Sequence, residues 1–201
     1  MKKQVILIHG GDVFNTYEEY IKHLEKTEFD PNKDKKRGKR WSRNLEEELG
    51  NDFNVIFPTM PYKYNAKYRE WKIWFEKVIL HIKDNSILMG HSLGGLFLVK
   101  YLSENDFNKK ISKTILIAAP YNDKNSKEVI GDFVLPDSLE KFKKQGGKII
   151  IYQSKDDPMV PFSDFEKYKE MLPDAIVRVF KKRGHFTGNK FPELIRDIKG
   201  L

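Results

Sequence analysis

Residues 90–94 read Gly-His-Ser-Leu-Gly, a spacing that is typical of an exposed serine nucleophile. The apolar run 87–89 before it indicates a buried strand, and the apolar residues after it recur at helical spacing. A serine between a strand and a helix lies on a sharp, strained turn, which small residues two positions before and after it make possible. Gly90 and Gly94 are those residues. The pattern predicts that Ser92 attacks an electrophilic carbon, with the amides at the helix start facing the resulting oxyanion.

A serine hydroxyl is a weak nucleophile at neutral pH, so it needs a base within hydrogen-bond reach. His185 is the favoured base, because it lies in a flexible Gly-His loop directly after the last predicted strand. His91 adjoins Ser92, but on a tight turn its side chain should project away from the nucleophile. The other histidines belong to predicted helices or end the first strand: His23, His81 and His9.

A third group must orient the base, and for this motif a carboxylate between the serine and the histidine completes the usual chain order. Asp157 is favoured, since it follows a buried strand and begins an Asp-Pro-Met-Val-Pro turn that stiffens its loop. Its neighbour Asp156 is one alternative, and Asp123, after the preceding strand, is another. The ranking is based on position at the strand ends.

Two further loops could contribute to a site. Residues 9–12, which read His-Gly-Gly-Asp, follow the first strand. Glycines there let the backbone turn tightly and bring amides close to a bound group, a typical setting for an oxyanion-hole donor. Tyr62 and Tyr64 crowd the loop after the second strand, where they either wall a pocket or pack over a helix start.

Strands and helices alternate along the chain, which predicts a single α/β domain over residues 1–201 with a mainly parallel sheet. The expected architecture is a three-layer α/β/α sandwich around an open six-stranded sheet. The loops singled out above leave the carboxyl ends of strands, where open parallel sheets place their sites. The weakly patterned segment 121–136 is predicted to be a small cap over the site. The predicted strands are about 4–8, 53–57, 87–89, 113–118, 148–153 and 176–180, and the predicted helices about 16–26, 41–49, 67–82, 93–103, 138–146, 163–172 and 191–198.

Composition narrows the class of protein. The chain has 201 residues, 39% of them hydrophobic, and no cysteine, which fits one globular domain and excludes disulfides, thiol catalysis and cysteine-ligated zinc. The first apolar run is too short for a signal peptide and no later run could span a bilayer, so we expect a soluble, cytoplasmic protein.

The formal net charge is +8, and the basic side chains are most concentrated at residues 33–43. We interpret that cluster as a solvated loop with a modest attraction for acidic substrates, not as a nucleic-acid surface.

Taken in chain order, the motifs resemble those of the α/β-hydrolase superfamily. They are His9-Gly10-Gly11, Gly90-His91-Ser92-Leu93-Gly94-Gly95, Asp157-Pro158-Met159-Val160-Pro161 and Gly184-His185-Phe186. The small size and the Ser-x-Asp-Asp-Pro-x-Val-Pro form around Asp157 are similar to the compact serine hydrolases of the retinoblastoma-binding-protein-nine and YdeN type. The resemblance implies an open sheet with helices on both faces.

The same resemblance implies roles for individual residues. Ser92 would be the nucleophile, His185 the general base and acid, and Asp157 the group that orients the imidazole. The oxyanion hole would be formed by the backbone amides of Leu93 and of Gly11 or Asp12.

The expected reaction is cleavage of a carboxylic ester, or a related acyl bond, of a small-molecule substrate through an acyl-serine intermediate. No metal or organic cofactor is expected. Thioesters, lactones and amides use the same machinery, and the insertion 30–43 and the polar stretch 121–126 do not match the compact subgroup, which leaves the substrate class open. The alternative is a binding or interaction protein that keeps the fold but turns over poorly.

Overall fold

The computed structural model describes residues 2–30, 32, 40–126 and 130–201, so most of the basic cluster at 33–43 lies outside the described residues. Strands and helices alternate through the described chain. In that part no helix is long and apolar enough to cross a membrane. The strands are β1 (Lys3–Ile8), β2 (Phe53–Ile56), β3 (Ser86–His91), β4 (Ile111–Ile117), β5 (Lys148–Ser154) and β6 (Ile176–Phe180). The helices are α1 (Tyr17–Lys26), α2 (Trp41–Leu49), α3 (Tyr68–Ile79), α4 (Leu93–Glu104), α5 (Glu140–Gln145), α6 (Phe162–Met171) and α7 (Pro192–Lys199).

The six strands form one sheet in the order β2-β1-β3-β4-β5-β6, and each neighbouring pair is parallel. The predicted α/β fold with an open six-stranded sheet is therefore confirmed. Because the strands are parallel, their carboxyl ends lie at one edge, and the loops after β1, β3, β5 and β6 meet there. The candidate nucleophile, acid and histidine all belong to those loops.

Two hydrophobic cores lie on opposite faces of the sheet. Along β1, Ile6 and Ile8 belong to one core and Val5 and Leu7 to the other, as the twofold alternation of a strand requires. The first core contains the buried faces of α3, α4, α5 and α6, and the second those of α2 and α7. A strand covered on both faces is apolar throughout, which explains the lack of polar alternation in β1.

Helix α3 is shorter than predicted, and one of its aromatic residues is partly exposed. The helix ends at Ile79, and the next residues form a tighter turn in which the Ile82 amide donates to the carbonyl of Ile79 at 3.0 Å. Trp71 and Phe75 are fully buried, whereas Trp74 is 42% exposed. Trp74 lies about 60° around the helix from Trp71 and about 100° from Phe75, at the margin of the apolar stripe.

The segment 121–136 contains neither helix nor strand among its described residues. It is attached to the helices α3 and α4. The amide of Tyr68 donates to Asp132 at 2.9 Å, and the ammonium group of Lys100 donates to the carbonyl of Val134 at 2.6 Å. Phe133 is fully buried between these contacts. The described part of the segment thus packs on the helical layer.

Candidate active site

Ser92 lies on the turn that joins β3 to α4. Its backbone has φ 55° and ψ −127°, a conformation that non-glycine residues rarely adopt and that costs about 1–3 kcal/mol. The surrounding hydrogen bonds hold it there. The amide of Ser92 donates to the carbonyl of Ile117 on β4 at 2.8 Å, and its own carbonyl accepts from the amide of Gly95 at 2.8 Å. A serine forced into this conformation presents its hydroxyl above the carboxyl edge of the sheet.

Glycines make this turn possible through close backbone contacts. A Cβ atom at Gly90 would overlap the carbonyl of Gly94, and one at Gly94 would overlap the carbonyl of Ile8. In the loop after β1, a Cβ atom at Gly10 would lie 3.0 Å from the Cβ atom of Ser92. The loop after β1 and the serine turn are therefore packed against each other at backbone distance.

Asp157 and His185 form a hydrogen-bonded pair. The Nδ1 atom of His185 lies 2.9 Å from Oδ2 and 3.1 Å from Oδ1 of Asp157. The Asp157 side chain is fully buried, and its Oδ1 atom also accepts from the amides of Met159 at 2.8 Å and Val160 at 3.1 Å. A carboxylate accepts only, so Nδ1 carries the proton in this pair and Nε2 of the neutral ring is an acceptor.

Ser92 and His185 line the same cavity, which has a volume of about 290 Å³. The hydrogen bonds of the described residues do not include one between the two side chains. In unliganded sites the nucleophile–base contact is commonly long and shortens when substrate binds. The structure thus brings the predicted nucleophile and base to one cavity, with the acid behind the base.

Neither alternative acid reaches the histidine. Asp156 instead stabilises the loop that carries His185. Its Oδ1 atom accepts from the amides of Arg183 at 3.1 Å and Gly184 at 2.9 Å. The same atom accepts from the hydroxyl of Ser154 at 2.5 Å. The bonds from Ser154 and Gly184 lower the pKa of the Asp156 carboxyl. Asp123 is used within its own turn, where it accepts from the amide of Asn125 and the hydroxyl of Ser126.

The loop of His185 is held from further directions. Trp41, at the start of α2, donates from its indole nitrogen to the carbonyl of Phe186 at 2.7 Å. Arg183 forms two 2.7 Å bonds to the carboxylate of Glu193 on α7. These contacts restrict the movement of the loop and therefore the positions that the His185 imidazole can take. A catalytic base has to be held in this way to face its nucleophile.

His91 also contacts this loop, and no sequence signal indicated it. Its Nε2 atom lies 2.9 Å from the carbonyl of His185, so Nε2 carries the proton and donates, and the two imidazole rings lie 4.8 Å apart. Burial lowers the pKa of His91 to about 3, and the neighbouring His185 adds to the effect. His91 is therefore a neutral donor that ties the serine turn to the histidine loop.

The three predicted oxyanion donors are not equivalent. Leu93 is the first residue of α4, and neither its amide nor that of Gly11 donates to an acceptor among the described residues. The amide of Asp12 donates to the carbonyl of Lys63 at 2.8 Å, which engages the hydrogen that an oxyanion would need. The geometry favours Leu93 and Gly11 and speaks against Asp12.

Comparison with known proteins assigns the family. The sequence model of the serine hydrolase family matches residues 32–190. The chain belongs to the serine hydrolase family. The serine hydrolase RBBP9 of Rattus norvegicus is 30% identical over 151 residues, which cover 74% of this chain and 78% of that protein.

Solved structures share the fold of this serine hydrolase at lower sequence identity. The ydeN gene product from B. subtilis is 18% identical with a TM-score of 0.72, over 99% of this chain and 98% of that one. A structure described under carboxylesterases of the thaumarchaeon Nitrososphaera gargenis is 13% identical with a TM-score of 0.63, over 99% and 89% of the two chains. The predicted resemblance to the α/β-hydrolases of RBBP9 and YdeN type is confirmed.

One wall of the cavity of this serine hydrolase includes residues that the sequence interpretation assigned to a solvated loop. Residues 40–43, at the end of the basic cluster, line it together with 57–59 from the loop after β2 and with Lys63 and Tyr64. Tyr64 thus walls the cavity, whereas Tyr62 is 77% exposed and lies outside the lining. No described residue of the segment 121–136 belongs to the lining, so the predicted cap does not contact this cavity through its described part.

Proposed function

We propose that this serine hydrolase cleaves a small-molecule carboxylic ester through an acyl-Ser92 intermediate. The observation that carries the proposal is the fully buried Asp157 carboxylate bonded to Nδ1 of His185, which faces the same cavity as the strained Ser92. This arrangement leaves Nε2 of the imidazole to accept a proton. It also supplies a negative charge next to the ring when that proton arrives.

The first half of the reaction forms the acyl-enzyme. The Oγ atom of Ser92 attacks the carbonyl carbon while Nε2 of His185 takes the hydroxyl proton. The carbonyl oxygen becomes an oxyanion that accepts from the amides of Leu93 and Gly11. The tetrahedral intermediate then collapses, the carbon–oxygen bond to the leaving group breaks, and His185 returns the proton to the departing alkoxide.

The second half repeats these steps with water. His185 removes a proton from a water molecule, whose oxygen attacks the acyl carbon of the ester on Ser92. The second oxyanion uses the same two amides. Its collapse breaks the bond to Oγ, His185 protonates Ser92, and the carboxylic acid leaves.

The residues have separable energetic roles. Asp157 stays ionised and stabilises the imidazolium that exists in both halves. Each oxyanion donor contributes about 2.7–4 kcal/mol to transition-state stabilisation in enzymes of this type. The strain at Ser92 is offset by the packing of β3 and α4 around it, so the hydroxyl is held in place before substrate arrives.

The size of the cavity bears on the length of the acyl chain, and one structural neighbour supports the ester assignment. A cavity of about 290 Å³ is at the small end of ligand pockets, which favours a short acyl chain. The neighbour from N. gargenis is described under carboxylesterases. Thioesters, lactones and amides would use the same groups, so they belong in the same substrate panel.

The test is steady-state hydrolysis of p-nitrophenyl acetate, butyrate and octanoate. Native protein should turn over the acetate and butyrate faster than the octanoate, and Ser92→Ala should lose nearly all of this turnover, with only the residual rate that the oxyanion donors and substrate binding supply. Ser103→Ala is the matched control, because Ser103 lies on the same helix and, among the described residues, its hydroxyl bonds the carbonyl of Val99 alone. Absence of turnover by folded native protein across esters, thioesters, lactones and amides would instead support the binding-protein alternative.

A further inference from the structure

The cavity is lined by more positive than negative side chains. Among its described lining residues Arg40, Arg43 and Lys63 are cationic, and Asp12 is the carboxylate. The Asp157 carboxylate lies behind His185, outside the lining, and is bonded to the imidazole. A cavity with one sign of charge in excess raises the local concentration of ligands of the opposite charge.

Arg43 and Lys63 are held on aromatic faces. The guanidinium carbon of Arg43 lies 5.4 Å from the centre of the Phe57 ring, and the ammonium nitrogen of Lys63 lies 5.1 Å from the centre of the Tyr64 ring. Both rings line the cavity. Neither cation forms an ion pair with a carboxylate among the described residues. A cation placed over a ring keeps its hydrogen-bond donors, so both heads can still bind an anion.

The positive potential extends to the loop after β1. Burial lowers the pKa of His9, and the charges of Lys63 and Arg43 lower it further. His9 remains neutral and accepts from the amide of Met60 at 2.8 Å through Nε2. Both cations are therefore close enough to act electrostatically on the loop that carries the Gly11 amide.

We propose that the preferred substrate is a small ester that carries a carboxylate away from its scissile bond, and that Arg43 and Lys63 bind this carboxylate. The inference rests on the proposed function, because it concerns the substrate of the same Ser92. The argument is the placement of two cations, each over an aromatic ring, on the wall of a small cavity that contains the nucleophile. A fatty acyl chain would place apolar surface against these charges, which disfavours it.

The experiment compares esters that differ only in charge. In the first pair, which varies the acyl part, the p-nitrophenyl monoester of adipic acid is matched with the same ester in which a carboxamide replaces the free carboxylate. On the alcohol side, p-carboxyphenyl acetate is matched with p-carbamoylphenyl acetate. Each kcat/KM is divided by the uncatalysed hydroxide rate, so that leaving-group differences cancel. The two pairs show whether the carboxylate belongs to the acyl or the alcohol part.

Native protein should prefer the charged member of one pair by about tenfold, since each partly exposed ion pair contributes a few-fold. Raising the ionic strength from about 0.02 M to about 0.5 M should reduce that preference. Arg43→Gln and Lys63→Gln should each reduce it, and together they should abolish it while the neutral ester is still hydrolysed. Lys148→Gln is the control, because Lys148 begins β5 at the opposite edge of the sheet.

The outcomes separate this inference from the proposed function. Hydrolysis of both members at equal rates in both pairs would overturn the charge preference and leave the esterase proposal standing. An equal fall for charged and neutral esters in the double variant would show that these side chains only shape the cavity, which also overturns it. If native protein hydrolyses neither member, both proposals fail.

Discussion

Replacing Asp157 by asparagine changes a single atom of the pair that orients His185. The Oδ1 atom of Asp157 accepts from the amides of Met159 and Val160, so the introduced side chain keeps its carbonyl oxygen at that position. Its amide nitrogen then takes the place of Oδ2, 2.9 Å from Nδ1 of His185. An amide nitrogen donates, so this shorter contact favours the tautomer in which Nδ1 accepts and Nε2 carries the ring proton, over the one that keeps only the 3.1 Å contact from Nδ1 to Oδ1.

The wrong tautomer removes the base. With a proton on Nε2, His185 presents a donor to Ser92 where an acceptor is required. We expect Asp157→Asn to lower kcat by roughly 10⁴-fold, which is the size of the effect that the same change has in a serine protease. The fold should persist, since the buried bonds from the 159 and 160 amides are kept.

The assay is kcat for p-nitrophenyl acetate beside the thermal unfolding temperature, with Asp156→Asn as the matched control. Asp156 is the sequence neighbour, but it bonds Ser154 and the amides of Arg183 and Gly184, not the imidazole. Its asparagine variant keeps an acceptor oxygen, so its kcat should fall no more than about tenfold. A loss in Asp156→Asn as large as that in Asp157→Asn would refute the assignment of the acid.

Three further predictions concern the elements around the pair. Gly10→Ala places a Cβ atom 3.0 Å from the Cβ atom of Ser92 and should lower kcat/KM roughly tenfold to a hundredfold. Gly188→Ala is the control: a Cβ atom there meets no atom within 4 Å, so kcat/KM should stay unchanged. Ester hydrolysis measures both variants. His91→Gln keeps a donor but removes a group whose pKa is lowered to about 3. In the native protein, the unfolded chain binds a proton at His91 below about pH 6.5, whereas the folded chain does not until about pH 3. The free energy of unfolding of the native protein therefore falls as the pH drops from 6.5 towards 3, by up to about 1.4 kcal/mol per pH unit. Denaturant unfolding should show a shallower fall in the variant, because glutamine does not titrate. Trp41→Phe removes the 2.7 Å bond to the Phe186 carbonyl and should lower the free energy of unfolding by about 1–3 kcal/mol in the same assay; no change would contradict a bracing role for this bond.

Some of the site could be predicted because its signals are local. The glycines around Ser92 are required by backbone contacts within a few residues of the turn, so the motif reports the geometry directly. The choice of Asp157 over Asp156 followed from its place in the turn after a buried strand, and the structure places Asp157 against His185. The boundaries of α2 and β6 match the prediction because apolar spacing and the adjacent residues define them.

Other features depend on contacts between distant parts of the chain. The bond from His91 to the carbonyl of His185 joins positions 94 residues apart, so the chain near His91 contains no sign of it. The wall containing Arg43 and Lys63 forms only when α2 and the loop after β2 meet, and the sequence pattern suggested a solvated loop for the part that contains Arg43. The amide of Asp12 was a plausible oxyanion donor until its bond to Lys63 was visible.

The most direct test of the central claim is intact-mass measurement after treatment with a fluorophosphonate, which reacts with activated serines. Native protein should gain the mass of one adduct and lose esterase activity in step, and Ser92→Ala should gain none. Asp157→Asn should label much more slowly than Asp156→Asn. Labelling of Ser92→Ala at the native rate, or no labelling of folded native protein, would contradict the account of Ser92 as a nucleophile activated by His185.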